Sequence, residues 1–199
     1  MTTSLTDLTV GGFIDAVAAK TPTPGGGSVS AVTGALGAAI GAMAAAFTES
    51  HAGAEAAAAL RAAADGLRPL VDGDAEAYGR VDAAMKRPKG TPEEKQDRTA
   101  ALQSALHGAA DVPLLGMRRC VEALERAAAF APACNPNLRS DLAVCALLLE
   151  AACRGCGLNV GANLAWIKDP AFIHPRAEER RALEARAHAL REQVMATCG

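Results

Sequence analysis

The run Val29-Ser30-Ala31-Val32-Thr33-Gly34-Ala35-Leu36-Gly37-Ala38-Ala39-Ile40-Gly41-Ala42-Met43-Ala44-Ala45-Ala46-Phe47 carries no charged residue. Its length could cross a bilayer. Ala and Gly dominate it, however, while Leu, Ile and Phe, which drive insertion, are sparse. A central helix buried on all sides fits it better. Gly34, Gly37 and Gly41 would let neighbouring helices pack onto its backbone, and small-residue spacing of this kind also serves subunit interfaces. The expected fold is all-α, a single-domain bundle of long kinked helices around this Ala/Gly-rich one.

The rest of the chain agrees. At 199 residues one domain is the natural reading. About a quarter of the residues are Ala, while aromatic residues make 3%. Such a composition favours helices over strands. A 50% hydrophobic content excludes wholesale disorder. A formal net charge of -2 gives no reason to bind nucleic acid or an anionic membrane. Few rings also argue against a base-stacking platform.

The start, Met1-Thr2-Thr3-Ser4-Leu5, shows neither the basic nor the apolar region of a signal peptide. A cytoplasmic protein is the expectation, with Cys120, Cys134, Cys145, Cys153, Cys156 and Cys198 as reduced thiols. Cys153-Arg-Gly-Cys156 spells C-x-x-C, but no second pair stands at metal-ligand spacing and no strand precedes it. Two small groups one turn apart on a buried helix are the expected reading. His51, His107, His174 and His188 show no ligand spacing either, so no metal site is expected.

Helix signals order the remainder. Residues 6 to 19 predict an amphipathic helix, with Leu8, Phe13, Ile14 and Val17 near one face. Lys20 to Ser28 holds two prolines and three glycines and must be irregular, with Ser28 as the N-cap of the apolar helix. His51 to Gly53 reads as a turn. A helix over 54–86 should be interrupted at Pro69. Thr91-Pro92-Glu93-Glu94 predicts a capping box opening a helix to about residue 129, with a kink at Pro113. Residues 131–138 read as a loop, 139–166 as an apolar helix and 176–197 as a charged closing helix with solvated i,i+4 pairs.

Four places could carry chemistry. In Pro22-Thr23-Pro24-Gly25-Gly26-Gly27-Ser28, glycine amides and a helix start could meet a carboxylate or phosphate; a tight packing turn is the equal alternative. The pattern is neither a Walker A loop nor a dinucleotide motif. In Asp72-Gly-Asp74-Ala-Glu76, an inward Asp74 would have a raised pKa, as a general acid needs; an exposed acidic turn is the alternative. Asn135-Pro-Asn137-Leu-Arg139-Ser140-Asp141 leads into an apolar helix, where such residues are usually caps. Asn159 and Asn163 stand one turn apart in an apolar helix and need polar partners, from the protein or from a ligand.

In this order the stretches resemble the cyclodeaminase/cyclohydrolase family. The matching pieces are Pro22–Ser28, Asp72–Tyr78, Pro88–Lys95 with Arg98, Asp111-Val-Pro-Leu114, Asn137-Leu-Arg-Ser-Asp-Leu142 and Asn159-Val-Gly-Ala-Asn-Leu164. The resemblance spans nearly the whole chain and implies an all-helical homodimer with a folate site near the subunit interface. It implies chemistry at the N5/N10 bridge of tetrahydrofolate: cyclohydrolase, interconverting the methenyl and 10-formyl forms, or cyclodeaminase, which releases ammonia. Neither needs a cofactor beyond the folate substrate. The stand-alone length leans towards cyclohydrolase; a cyclodeaminase would need a separate formiminotransferase partner. A non-catalytic folate-binding or dimerisation module on the same scaffold is the alternative.

The resemblance makes Asp74 the catalytic acid. It makes Gly25, Gly26, Gly27 and Ser28 folate-binding, with Lys89 on a tail carboxylate and Asn135, Asp141 and Asn163 as pterin contacts or parts of the site's architecture. Thr48-Glu49-Ser50-His51-Ala52-Gly53 departs from the family pattern, which places basic residues after the apolar helix. With so few rings, the pterin should be held by hydrogen bonds and aliphatic contacts, with little stacking.

Overall fold

The computed structural model describes residues 4–198. Met1 to Thr3, on which the reading of the start partly rests, lie outside the described residues, as does Gly199. The described residues form helices and no strand. The α-helices are α1 (Val10–Ala18), α2 (Gly26–Ala46), α3 (His51–Leu67), α4 (Pro69–Met85), α5 (Pro92–Phe130), α6 (Arg139–Leu164) and α7 (Pro170–Cys198). The central layer is α2 against α6 and α3, with α5 packed on α6 and α7 closing over both.

Local chemistry explains the boundaries. Thr91 accepts from the Glu94 amide, and Glu94 Oε2 accepts from the Thr91 amide, so the capping box is present. Helix α5 then runs unbroken for 39 residues, through Pro113. Pro69 separates α3 from α4 by occupying the first position of α4, where no amide is needed.

Several expectations are corrected. The first helix begins only at Val10, because Thr9 Oγ1 accepts from the Gly12 amide while Leu8 stays extended. His51 to Gly53 is the first turn of α3, capped by Ser50. The segment before residue 176 is helical from Pro170, because Asp169 Oδ1 accepts from the Ala171 amide. Residues 131–138 hold two short 3-10 turns.

Helix α2 is not buried on all sides. Its glycine face is: a Cβ on Gly41 would stand 2.6 Å from Cys145 Sγ, and one on Gly37 2.9 Å from Leu148 Cβ. Its other face is open at Leu36, 59% exposed, and continues to Phe47 at the C-cap, 64% exposed. Val144, Leu147 and Leu158 are exposed on α6, and Val10 and Ile14 on α1. Two helices, Gly26–Ala46 and Pro136–Leu164, are long and apolar enough to cross a membrane. About half of each is covered by the rest of the protein.

The charges of α7 mostly pair across helices instead of along their own. Arg118 and Arg186 bind Glu179 and Glu125, and Arg176 binds Asp111, all between α5 and α7. Glu150, buried on α6, accepts from Arg191 Nε at 2.7 Å and lies 3.1 Å from His188 Nδ1. The thiols are unpaired. Burial pushes Cys145, Cys153 and Cys156 up to about 12.

Candidate active site

Helices α4, α5 and α6 and the glycine loop enclose a cavity of about 690 Å³. Each wall is one helical face. Helix α4 supplies Asp74, Ala77, Tyr78, Val81 and Met85; α5 supplies Arg98, Leu102, Leu106 and Ala109. The end of α6 contributes Asn159, Ala162 and Asn163, with Trp166 just beyond. Pro22, Thr23, Gly25 and Gly26 close the remaining side. The lining is apolar with a few polar groups, the usual make-up of a small-molecule site.

The glycine loop and the acidic run meet here. Helix α2 starts at Gly26, and Gly25 at its N-cap has no side chain to offer. Its amides are therefore satisfied from outside. Asp74, from α4, accepts from the Ser28 amide at 3.0 Å through Oδ2. Ser28 is thus not the N-cap; its hydroxyl donates to Val71 O at 2.8 Å and stands 3.4 Å from Asp74 Oδ2. Ser28 is fully buried. Gly27 is required by close approach, because a Cβ there would overlap Asp74 Oδ1. Burial pushes the Asp74 carboxyl above the ordinary carboxylate range, and the two Ser28 hydrogen bonds partly offset the rise.

The neighbouring acids do other work. Asp72 accepts from Ser4 Oγ and from the Leu5 amide, which ties the first turn of the chain to α4. Glu76 is exposed.

The α6 amides complete the site. Asn159 Nδ2 donates to Gly155 O, and Asn163 Nδ2 donates to Ala109 O and Asn159 O. Among the described residues, neither carboxamide oxygen accepts a hydrogen bond, so both can accept from a ligand. Asn159 also lies under Gly26, where a Cβ would stand 3.3 Å from Nδ2.

Gly27 and Ser28, expected to bind the folate, pack against Asp74 without lining the cavity, and three other expected site residues lie elsewhere. Lys89 is in the exposed loop between α4 and α5 and lines no cavity described here. Asn135 builds its own turn: Oδ1 accepts from the Asn137 amide, Nδ2 donates to Phe47 O, and its amide donates to Thr48 Oγ1. That places Asn135 at the C-terminal end of α2, a helix of 21 residues and so about 30 Å from the cavity end. Asp141, in the first turn of α6, is likewise outside the cavity. The scarce rings are not spread at random. The chain's one Tyr and one Trp, Tyr78 and Trp166, both line the cavity.

The sequence model of the formiminotransferase-cyclodeaminase family matches residues 9–182. The chain belongs to that family. A methenyltetrahydrofolate cyclohydrolase of Methylorubrum extorquens is 38% identical over 95% of both chains. A formimidoyltransferase-cyclodeaminase of Rattus norvegicus is 36% identical over 85% of this chain, which covers 33% of that longer protein. Among solved structures, formiminotetrahydrofolate cyclodeaminase of Thermotoga maritima superposes with a TM-score of 0.86 at 30% identity, covering 98% of this chain and 97% of that one. Within this family chain, the two stretches joined by the Ser28–Asp74 contact are 46 residues apart in sequence.

Proposed function

We propose that this chain is a folate enzyme acting at the N5/N10 one-carbon bridge of tetrahydrofolate, as a methenyltetrahydrofolate cyclohydrolase. The observation that carries the reading is Asp74. It is a half-buried carboxyl with a raised pKa, fixed by Ser28 at the wall of a cavity large enough for a folate. The cyclohydrolase choice rests on the Methylorubrum relative, which matches this chain from end to end. The likeness to the Thermotoga cyclodeaminase favours formiminotetrahydrofolate cyclodeaminase as the second reading.

Both reactions pass through a tetrahedral carbon bonded to N5 and N10, and both need one mobile proton. In the hydrolysis, water adds to the methenyl carbon as the Asp74 carboxylate takes its proton. Asp74 returns that proton to N5 as the C–N5 bond breaks, and the hydroxyl proton leaves to solvent, so the formyl group stays on N10 and one proton is released overall. In the deamination, N10 attacks the formimino carbon while the N10 proton passes to the imino nitrogen, and protonated Asp74 then delivers its proton to the resulting amino group, so ammonia leaves. The upward shift of Asp74 is the direction a group that both takes and gives a proton requires. Neither reaction changes an oxidation state, and no cofactor beyond the folate is invoked.

The glycine amides, Asn159, Asn163 and the rings of Tyr78 and Trp166 are the pterin contacts in this reading. The exposed apolar residues of α2 and α6, two helices packed on each other, support a homodimer built on that side. Six unpaired thiols support a cytoplasmic setting. The second reading adds a separate formiminotransferase to supply substrate. The test is to mix the purified protein with methenyltetrahydrofolate and follow loss of its chromophore, with ammonia release from the formimino substrate in parallel. Turnover of the first substrate is expected. Turnover of neither, with thermal stabilisation by folate, would establish a binding module instead.

A further inference from the structure

The cavity is electrically two-ended. Among the described residues that line it, Asp74 is the only acid and Arg98 the only base. Asp74 and Met85 stand on the same face of α4, separated by about 16 Å of helix. Arg98 sits at the Met85 end, because its Nε donates to Met85 O at 3.0 Å. Between them the walls are Ala77, Tyr78, Val81, Leu102 and Leu106.

Arg98 is also the one residue shared with a second, shallower cavity of about 280 Å³, lined by Arg87, Pro88, Glu94 and Asp97. It therefore stands at the outlet of the large cavity. Its side chain is only half committed. The Nε edge holds the last carbonyl of α4, an orphan acceptor at a helix end. Among the described residues no ion pair engages its two terminal nitrogens. The nearby Glu94 carboxylate is taken by the Gly90 and Thr91 amides. What remains is the planar fork that binds a carboxylate through two parallel hydrogen bonds.

We infer that Arg98 is a specificity-determining residue that clamps a carboxylate of the folate glutamate at the cavity outlet. The inference rests on the folate reading and replaces Lys89 in the role given to it from sequence. A one-carbon bridge at Asp74 and a glutamate carboxylate at Arg98 are joined by a flat, apolar p-aminobenzoyl spacer. The intervening wall, with its aliphatic side chains and Tyr78, suits that spacer. Arg98 thus acts on binding and register, and Asp74 acts on the bond changes.

The test is equilibrium binding by calorimetry of two stable ligands, 5-formyltetrahydrofolate and its pteroyl methylamide analogue, which lacks the glutamate. The wild-type chain should prefer the glutamate-bearing compound by about 10- to 100-fold, the worth of a charged hydrogen-bonded pair. Arg98→Gln should abolish the preference while still binding the analogue as the wild type does. Arg98→Lys, which keeps the charge and loses the fork, should restore part of it. An Arg98→Gln protein that keeps the full preference overturns the assignment. A wild-type protein that binds neither compound overturns the folate reading, a result distinct from the first.

Discussion

Two helices in this fold begin with polar residues that look alike in sequence, and their entrances differ. Just before α6, Asn135 caps the short 3-10 turn Pro136–Leu138 through the Asn137 amide, and its own donors meet Phe47 O and Thr48 Oγ1 at the adjacent α2 end. At α2, Gly25 offers nothing, and the Ser28 amide is met by a carboxylate from another helix. The self-capped entrance is architecture. The entrance capped from a distance brings an acid to a cavity wall, and there the acid's pKa is open to adjustment by burial and by its donors.

Removing the titratable proton from the distant cap should have the largest effect. Asp74→Asn is expected to lower kcat by about 100-fold or more, the usual worth of a general acid, with circular dichroism unchanged. The same variant should gain stability at neutral pH. A carboxyl whose folded pKa is raised supports folding while protonated and loses that support as pH rises through the folded value. The gain, read as a melting temperature, should shrink towards acid pH. A destabilised Asp74→Asn at neutral pH would contradict the burial argument.

Gly27→Ala comes next. The added methyl must displace the Asp74 carboxyl, so kcat should fall by about tenfold or more. The protein should lose about 1–3 kcal/mol by overpacking, measured by urea unfolding. Ser28→Ala is milder. It removes the hydroxyl but keeps the amide that holds Asp74, so the apparent pKa of the pH–rate profile should move up, not down. The smallest effect belongs to the other entrance. Asn135→Ala should leave kcat and KM unchanged and cost about 1 kcal/mol of stability, as the loss of a helix-end cap does. A kinetic effect of Asn135→Ala would erase the contrast between the two entrances.

The same contrast explains which features could be read from sequence. Thr91, Pro92 and Glu94 form a cap from adjacent residues, so their spacing alone fixes where α5 begins. Ser28 looks like a similar cap, but its amide is satisfied by Asp74, far away in the chain, and no local pattern carries that. Asp74, Gly25, Gly26 and Asn163, each singled out from sequence, line one cavity. Lys89 misleads because it is close to Arg98 in sequence, while only Arg98 lies on the helical face shared with Leu102 and Leu106. Tyr78 and Trp166 show a different failure. A chain-wide scarcity of rings says nothing about where the few rings go, and these two go to the site. The salt pairs of α7 needed tertiary structure, since their partners lie on α5 and α6.

The buried sulfurs carry a practical consequence. Cys120, Cys145, Cys153 and Cys156 lie in the packed interior, where burial raises all four thiols, the last three to about 12, so each holds a vanishing fraction of the nucleophilic anion at neutral pH. An alkylating reagent can reach them only when α2, α5 and α6 separate. These sulfurs are therefore a built-in clock, and the rate at which they become blocked under native conditions measures how often the bundle opens.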